Sequence, residues 1–270
     1  AVDVDSDGDM DVLSSSRDDD KIAWYENDGS EAFTEHVVST AADYAQKVFA
    51  IDLDGDTDMD ILSASRFDDK IAWYENDGNE NFTVHAITTS ADGANDVFAL
   101  DMDGDSDVDV LSASYNDDKI AWYENDGTET FTSHDISLTA DKAQAVYAVD
   151  IENDGDIDVL SASYSDDKIG WYENNGSENF TSHTVSTLAN SAMDVFATDM
   201  DSDGDIDILG AISGDVIWFE QGAPILSTQA VSGITATGAT GNGNITDLGQ
   251  SNPTAHGVCW NTTGQPTIDD

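Results

Sequence analysis

The sequence predicts an all-β fold, a β-propeller of four-stranded antiparallel blades. Three observations carry that expectation. A unit of 49 residues recurs five times, with its first and last copies incomplete. Each unit holds four short runs of β-branched and aromatic residues bounded by turn formers. No helical periodicity interrupts them. A β-solenoid is the rival architecture, but its coils are usually shorter than this unit.

The repeat is plainest in Asp3-Val4-Asp5-Ser6-Asp7-Gly8-Asp9-Met10-Asp11-Val12-Leu13, which returns at 52–62, 101–111, 150–160 and 199–209. Trp24, Trp73, Trp122 and Trp171 keep the same step, and Trp218 comes two residues early after a shortened loop. In the third unit the expected strands are Val97–Asp101, Asp109–Ser114, Lys119–Asn125 and Phe131–Ser137. The acidic loop joins the first two. Asn125-Asp126-Gly127 is a tight-turn signal that closes a hairpin between the last two. The chain opens at Ala1-Val2 inside a unit, so the first blade is expected to lack most of its inner strand and the fifth its outermost one. The true N-terminus, with any signal peptide, is expected to lie upstream.

Repeated aromatic pairs, Trp24-Tyr25 through Trp218-Phe219, are expected to pack between neighbouring blades, because a blade cannot bury its faces alone. His36, His85, His134 and His183 fall at one register position. Spread round a ring they cannot converge on one metal, so they read as satisfied structural side chains.

Charge is the unusual property: 57 acids against 8 bases give −49. Nucleic acid is excluded as a partner, because phosphate would be repelled. A disordered acidic tail is the plain alternative, but the regularly placed 6 Trp, 8 Tyr and 9 Phe argue for a folded frame. No apolar run is long enough to span a membrane. Cys259 is alone, so no intramolecular disulfide holds the fold.

Residues 1–221 form the repeat domain, and 222–270 read as a linker, Gly222-Ala223-Pro224, followed by a different segment. That segment alternates like strand in Thr228-Gln229-Ala230-Val231 and Gly257-Val258-Cys259-Trp260. It resembles the first part of a fibronectin-type-III-like sandwich of secreted bacterial proteins, truncated at Asp270.

Chemistry concentrates in the acidic loops, which carry acids at positions 1, 3, 5, 7 and 9. Loop one has Asp3, Asp5, Asp7, Asp9 and Asp11; loop two has Asp52, Asp54, Asp56, Asp58 and Asp60. Loop three has Asp101, Asp103, Asp105, Asp107 and Asp109. Loop four has Asp150, Glu152, Asp154, Asp156 and Asp158, and loop five Asp199, Asp201, Asp203, Asp205 and Asp207. Two carboxylates ~4 Å apart repel by about 4 kcal/mol at an effective dielectric of ~20. Such a turn opens unless a cation sits within it, although simple solvated turns remain the bland reading. Side chains at 1, 3 and 5, a backbone carbonyl at 7 and the acid at 9 are the spacing a hard cation wants, as in the first half of an EF-hand loop. The missing Glu at position 12 and the missing helices exclude an EF-hand itself. An all-oxygen shell favours calcium over zinc or copper, and magnesium resists such dehydration.

Asp-x-Asp-x-Asp-Gly-x-x-Asp followed by two aliphatics resembles the calcium loop of FG-GAP and VCBS repeats, including those of integrin α-subunit propellers. The resemblance spans residues 1–220. It implies a propeller whose calcium loops join the first and second strands of each blade. Loops one and five match fully, with Gly8 and Gly204. Loop four keeps Gly155 but has Glu152, a longer ligand arm. Loops two and three put Thr57 and Ser106 where glycine is expected, with Gly55 and Gly104 two residues earlier, and weaker calcium binding is expected there.

Loops between strands two and three, and the connections between blades, collect on the rim opposite the metal loops. All eight bases, Arg17, Lys21, Lys47, Arg66, Lys70, Lys119, Lys142 and Lys168, are expected there or beside it. Lys21, Lys70, Lys119 and Lys168 each follow an Asp-Asp and read as surface ion pairs of little worth. Arg17, Arg66, Tyr115 and Tyr164 are equivalent by register yet differ, as do Tyr44, Gly93, Lys142 and Ser191. Such variation on rigidly held loops is where ligand sites live, although drift explains it equally. Arg and Tyr suit a glycan or a protein loop.

The expectation is a secreted, bacterial or cell-surface calcium-binding module for adhesion or for carbohydrate or protein recognition. The alternatives are a non-catalytic propeller within a secreted polysaccharide-active enzyme, or a structural spacer. Neither Gly-x-Ser-x-Gly nor a zinc-spaced His/Cys set occurs, so no catalytic residue is expected.

Overall fold

A computed structural model describes residues 1–30, 32–221, 226–232 and 240–245 of the chain. The chain divides into two units, Ala1–Ala197 with Ile208–Phe219, and Thr198–Asp207 with Glu220–Asp270.

Strands β1 (Val12–Ser16), β2 (Lys21–Asn27) and β3 (Phe33–Ser39) form a first, three-stranded sheet. Three complete four-stranded sheets follow. They are β4 (Ala45–Ile51) to β7 (Phe82–Thr88), β8 (Ala94–Leu100) to β11 (Phe131–Ser137), and β12 (Ala143–Val149) to β15 (Phe180–Ser186). The fifth sheet has three strands, β16 (Asp194–Thr198), β17 (Asp207–Ile212) and β18 (Asp215–Phe219). Among the described residues the first sheet thus has no inner strand, save an isolated bridge between Val2 and Asp11, and the fifth has no fourth strand.

Strand order within each sheet follows the chain, and the resolved registers are antiparallel. A solenoid would instead pair equivalent strands of successive units in parallel. Here the first strands of successive sheets, β4, β8 and β12, lie against one another, as the inner strands of propeller blades do.

In the third unit β9 (Asp109–Ser114), β10 (Lys119–Asn125) and β11 fall where the sequence puts them. Its first strand starts earlier, at Ala94, because a bulge lets Ala94 pair with Ser114 and Asp96 with Ala113. The bulged residue, Asn95, turns its side chain to the next blade and donates to the Gln144 carbonyl at 2.7 Å.

Cores form between blades as the aromatic pairs predict for Trp24, Trp73, Trp122 and Trp171, whereas Trp218 of the fifth sheet, expected to pack likewise, is 46% exposed. Trp73 and Leu62 of one sheet pack with Val97, Val110 and Tyr123 of the next. Trp122 and Leu111 pack likewise with Val146, Val159 and Tyr172. Each buried tyrosine hydroxyl meets a serine of its own sheet, at 3.2 Å for Ser112 and Tyr123.

The inner strands carry a ladder the sequence reading did not single out. Phe49, Phe98, Tyr147 and Phe196 follow one another as tilted rings, 46–53° between planes, with centroids 5.1, 4.9 and 4.9 Å apart. Beside it, Lys47 on β4 bonds Asp96 on β8 at 3.0 Å, and the Val146 N–H of β12 donates to the same carboxylate. Burial pushes Asp96 up to about 6. Lys47 therefore belongs to the inner strands, not to the loop rim where sequence register placed it, because the strand extends past it.

In the second unit β19 (Leu226–Ser232) pairs antiparallel with β20 (Thr240–Ile245). The expected strand at 257–260, and with it the fibronectin-like reading, lies outside the described residues. No helix among the described residues is long and apolar enough to cross a membrane.

Candidate functional site

Each acidic loop joins the first and second strands of a blade. In loops one to three the carboxylates of positions 1, 3 and 9 converge: Asp3, Asp5 and Asp11; Asp52, Asp54 and Asp60; Asp101, Asp103 and Asp109. One oxygen of each lies within 4.8 Å of the others. Loop five gathers Asp199, Asp201 and Asp203 instead.

Positions 5 and 7 also serve the backbone, Asp203 while belonging to the trio of loop five. Position 5 accepts the N–H two residues on, as in Asp9 N to Asp7 Oδ1 at 2.9 Å, with the same turn at Asp56, Asp105, Asp154 and Asp203. Position 7 leans on the hairpin turn: a Cβ on Gly29, Gly78, Gly127 or Gly176 would meet Asp9, Asp58, Asp107 or Asp156 at 2.4–2.6 Å. This close approach is the reason those turns need glycine.

Position 9 is both ligand candidate and anchor. Asp60 accepts from the N–H of Leu53 at 3.1 Å and of Asn76 at 2.8 Å, tying the loop to the hairpin. Asp11, Asp109, Asp158 and Asp207 repeat the arrangement. Burial pushes Asp60 and Asp109 up to about 6. A buried carboxylate beside two others is costly unless a cation balances it. The donor set, three hard carboxylate oxygens, fits a divalent cation of the calcium kind.

Loop four departs. Among the described residues no trio of carboxylates gathers there. The extra methylene of Glu152 lets it fold back on Asp158, and burial with that contact pushes Glu152 well above the usual carboxylate range. Its Oε2 is buried without a hydrogen-bond partner.

Backbone geometry explains the displaced glycines of loops two and three. Positions 4 and 6 are both left-handed in every loop: Ser6 and Gly8 at φ 63° and 98°, Gly55 and Thr57 at 76° and 82°. One glycine serves either position, and Thr57 and Ser106 carry the strain in their loops. Their trios gather nonetheless.

The pattern of FG-GAP-like repeats matches residues 3–63, 52–112, 101–161 and 150–210. This chain belongs to the FG-GAP-like repeat family. No curated protein matches it closely enough to register. Two solved structures share the fold. One is an Agrocybe aegerita lectin, described as specifically recognising non-reducing terminal N-acetylglucosamine, 16% identical with a TM-score of 0.51. The match covers 74% of this chain but only 60% of the lectin. The other is a functionally unknown protein from Desulfotomaculum acetoxidans, 14% identical with a TM-score of 0.51, over 82% of this chain and 68% of that one.

Two further features lie on the FG-GAP-like frame. Each of the four repeated histidines stacks on its tryptophan, with centroids 4.4–4.7 Å apart, and bonds a glutamate at 2.6–2.7 Å. Beside one such pair, a cleft of about 340 Å³ opens between the second and third sheets, lined by Asp54, Trp73, Glu75, His85, Glu129 and Phe131.

The opposite rim holds the variable residues. Lys21, Lys70 and Lys119 pair with Asp19, Asp68 and Asp117. Lys168 makes no such pair among the described residues. Arg17 lies over the Tyr44 ring with its Cζ 5.6 Å from the centroid, and Arg66 over Tyr115 at 3.8 Å. Lys142 Nζ is 5.5 Å from the same Tyr115 centroid. Tyr44 stacks on exposed Phe67 at 4.3 Å. Tyr164 stands exposed, with its N–H on the Lys142 carbonyl. The structure thus adds Phe67 to the residues singled out by register, and brings Tyr44 and Lys142 of the blade connections against Arg17 and Tyr115; Phe67 was legible as an aromatic in a loop where other blades have Asp18, Asn116 and Ser165.

Proposed function

We propose that this chain is a calcium-stabilised, non-catalytic recognition module that works outside the cell. Calcium would be held by positions 1, 3 and 9 of loops one to three and by the trio of loop five, setting the blades rigid. Ligand would meet the opposite rim at Arg17, Arg66, Tyr115 and Tyr164, with the repeat domain ending near residue 221. A glycan is the favoured ligand, and the lectin that shares the fold supports that preference by analogy alone.

One observation carries the reading. In a chain with 57 acids, Arg17 and Arg66 make no ion pair among the described residues and lie instead over tyrosine rings. Surface arginines in so acidic a chain would otherwise be paired at small cost. The test is a glycan and protein array, probed with the calcium-loaded protein and with the combined Arg17→Ala, Arg66→Ala, Tyr115→Ala and Tyr164→Ala variant. The variant should lose binding at an unchanged melting temperature. Equal binding by both would remove the rim from the function and leave a spacer or the accessory part of an enzyme.

A further inference from the structure

Resting on the rim as the recognition face, we infer that its ligand is a sugar ring bearing a single carboxylate, a uronic-acid-type terminal residue. The argument starts from backbone geometry. Each connection between blades needs one left-handed residue, whose N–H is held by the Oδ1 of an aspartate at 2.7–2.9 Å. In one blade the relaxed choice, Gly93, stands there with φ 71°. Two others use Tyr44 and Lys142 at φ 58° and 56°, a conformation that bulky side chains enter only at a cost.

Those two strained side chains complete mirrored pairs. Arg17 meets Tyr44 across one blade connection, and Tyr115 meets Lys142 across the equivalent connection two blades on, with cation and ring exchanged. Arg66 covers the Tyr115 ring as well. Folding asks for none of this, since glycine would serve the backbone better. A ligand gives the reason: the exposed rings of Phe67 and Tyr164 beside these pairs for the CH face of a sugar, and guanidinium and ammonium donors for an anion.

Charge then restricts the anion. The three cations make no ion pair with protein carboxylates among the described residues, so their donors are available. Exposed Asp43, Asp92 and Asp141 stand in the same connections, and the chain carries −49. That field repels an extended polyanion within a Debye length of about 8 Å at physiological salt. One carboxylate can meet Arg66 and Lys142, which share the Tyr115 ring, while neighbouring aspartates accept sugar hydroxyls. An acidic peptide supplies the charge but not the ring with hydroxyls on both edges.

The experiment is an NMR titration of the calcium-loaded protein with methyl β-glucuronoside, methyl β-glucoside and an aspartate-rich peptide. The glucuronoside should bind at least about tenfold tighter than the glucoside, the value of one charged hydrogen bond. Arg66→Gln and Lys142→Gln should each erase that preference, while Arg66→Lys should restore part of it. Equal binding of both glycosides, abolished by Arg66→Gln, would overturn the acidic-sugar inference and leave the recognition rim standing. Preferred binding of the peptide would likewise overturn it. Glucuronoside binding indifferent to both substitutions would overturn the inference and the rim together.

Discussion

The two rims of the blades obey opposite rules. On the acidic-loop rim an acid returns at the same register in blade after blade, aspartate everywhere but at Glu152, and backbone strain is shared between two positions that one glycine relieves in turn. On the other rim the left-handed position of each blade connection carries Tyr44, Gly93, Lys142 or Ser191. The first rim is uniform because its side chains hold the backbone together: the position 9 aspartate bonds two N–H groups in every loop. The second is free to vary because its backbone is held by Asp20, Asp69, Asp118 and Asp167, whatever side chain the residue carries. Uniformity marks what folding needs, and variation marks what it leaves for another use.

Removing the cation should produce the largest effect. At millimolar calcium and a dissociation constant of roughly 10⁻⁴–10⁻³ M, each filled loop adds about 0.4–1.4 kcal/mol by mass action. The four gathered trios then contribute a few kcal/mol, and chelation should lower the melting temperature by about ten degrees. Sodium chloride should restore only part of that by screening. Identical calorimetric melts with calcium and with chelator would erase the contrast between the rims.

An aspartate outside both rims serves as a control on charge. Asp96 has its folded pKa raised to about 6 from 3.8 by burial. A raised carboxylate contributes stability that is complete below the unfolded value and is lost as pH rises through the folded one. In urea unfolding with calcium present, the wild type should therefore lose on the order of 2 kcal/mol relative to Asp96→Asn between pH 4 and pH 6. A constant difference would mean that Lys47 offsets the burial completely.

Asp109→Asn sharpens the comparison on the metal rim. With calcium it should cost about 1–3 kcal/mol, through a lost ligand and a lost acceptor for the N–H groups of Met102 and Asn125. In chelator the cost should shrink, because the variant no longer buries an unbalanced charge. An equal cost in both conditions would make Asp109 an anchor and nothing more.

The opposite rim should respond in the other direction. Lys142→Gly relieves a left-handed lysine and should raise stability by about 1 kcal/mol while weakening ligand binding. A destabilised variant would show that the lysine serves the fold.

The smallest effect concerns loop four. Glu152→Asp removes the methylene that lets the side chain turn back on Asp158. A terbium luminescence titration should then count one more ion than in the wild type, with a melting shift of only a degree or two for about 0.5 kcal/mol. An unchanged count would point to another cause for the ungathered trio.

The sequence by itself determined the repeated blades and most of their strand boundaries, the bulged first strand excepted, because a 49-residue period of alternating strands and tight turns admits few folds. It also named the loops and the carboxylates that fill them. It could not assign all the work within a loop. Position 9 is expected to close the shell, but spacing makes positions 1, 3 and 5 look alike as ligands, and only the folded turn leaves position 5 outside the trio in loops one to three and brings Asp203 into it in loop five. Nor could it rank loop four below loops two and three. A displaced glycine is conspicuous in sequence yet absorbed by the backbone, whereas one methylene in Glu152 decides whether its carboxylate reaches the trio. Tertiary structure alone paired Arg17 with Tyr44, Arg66 with Tyr115 and Lys47 with Asp96, since these residues lie 27 to 49 apart in the chain and meet only where one blade packs on the next.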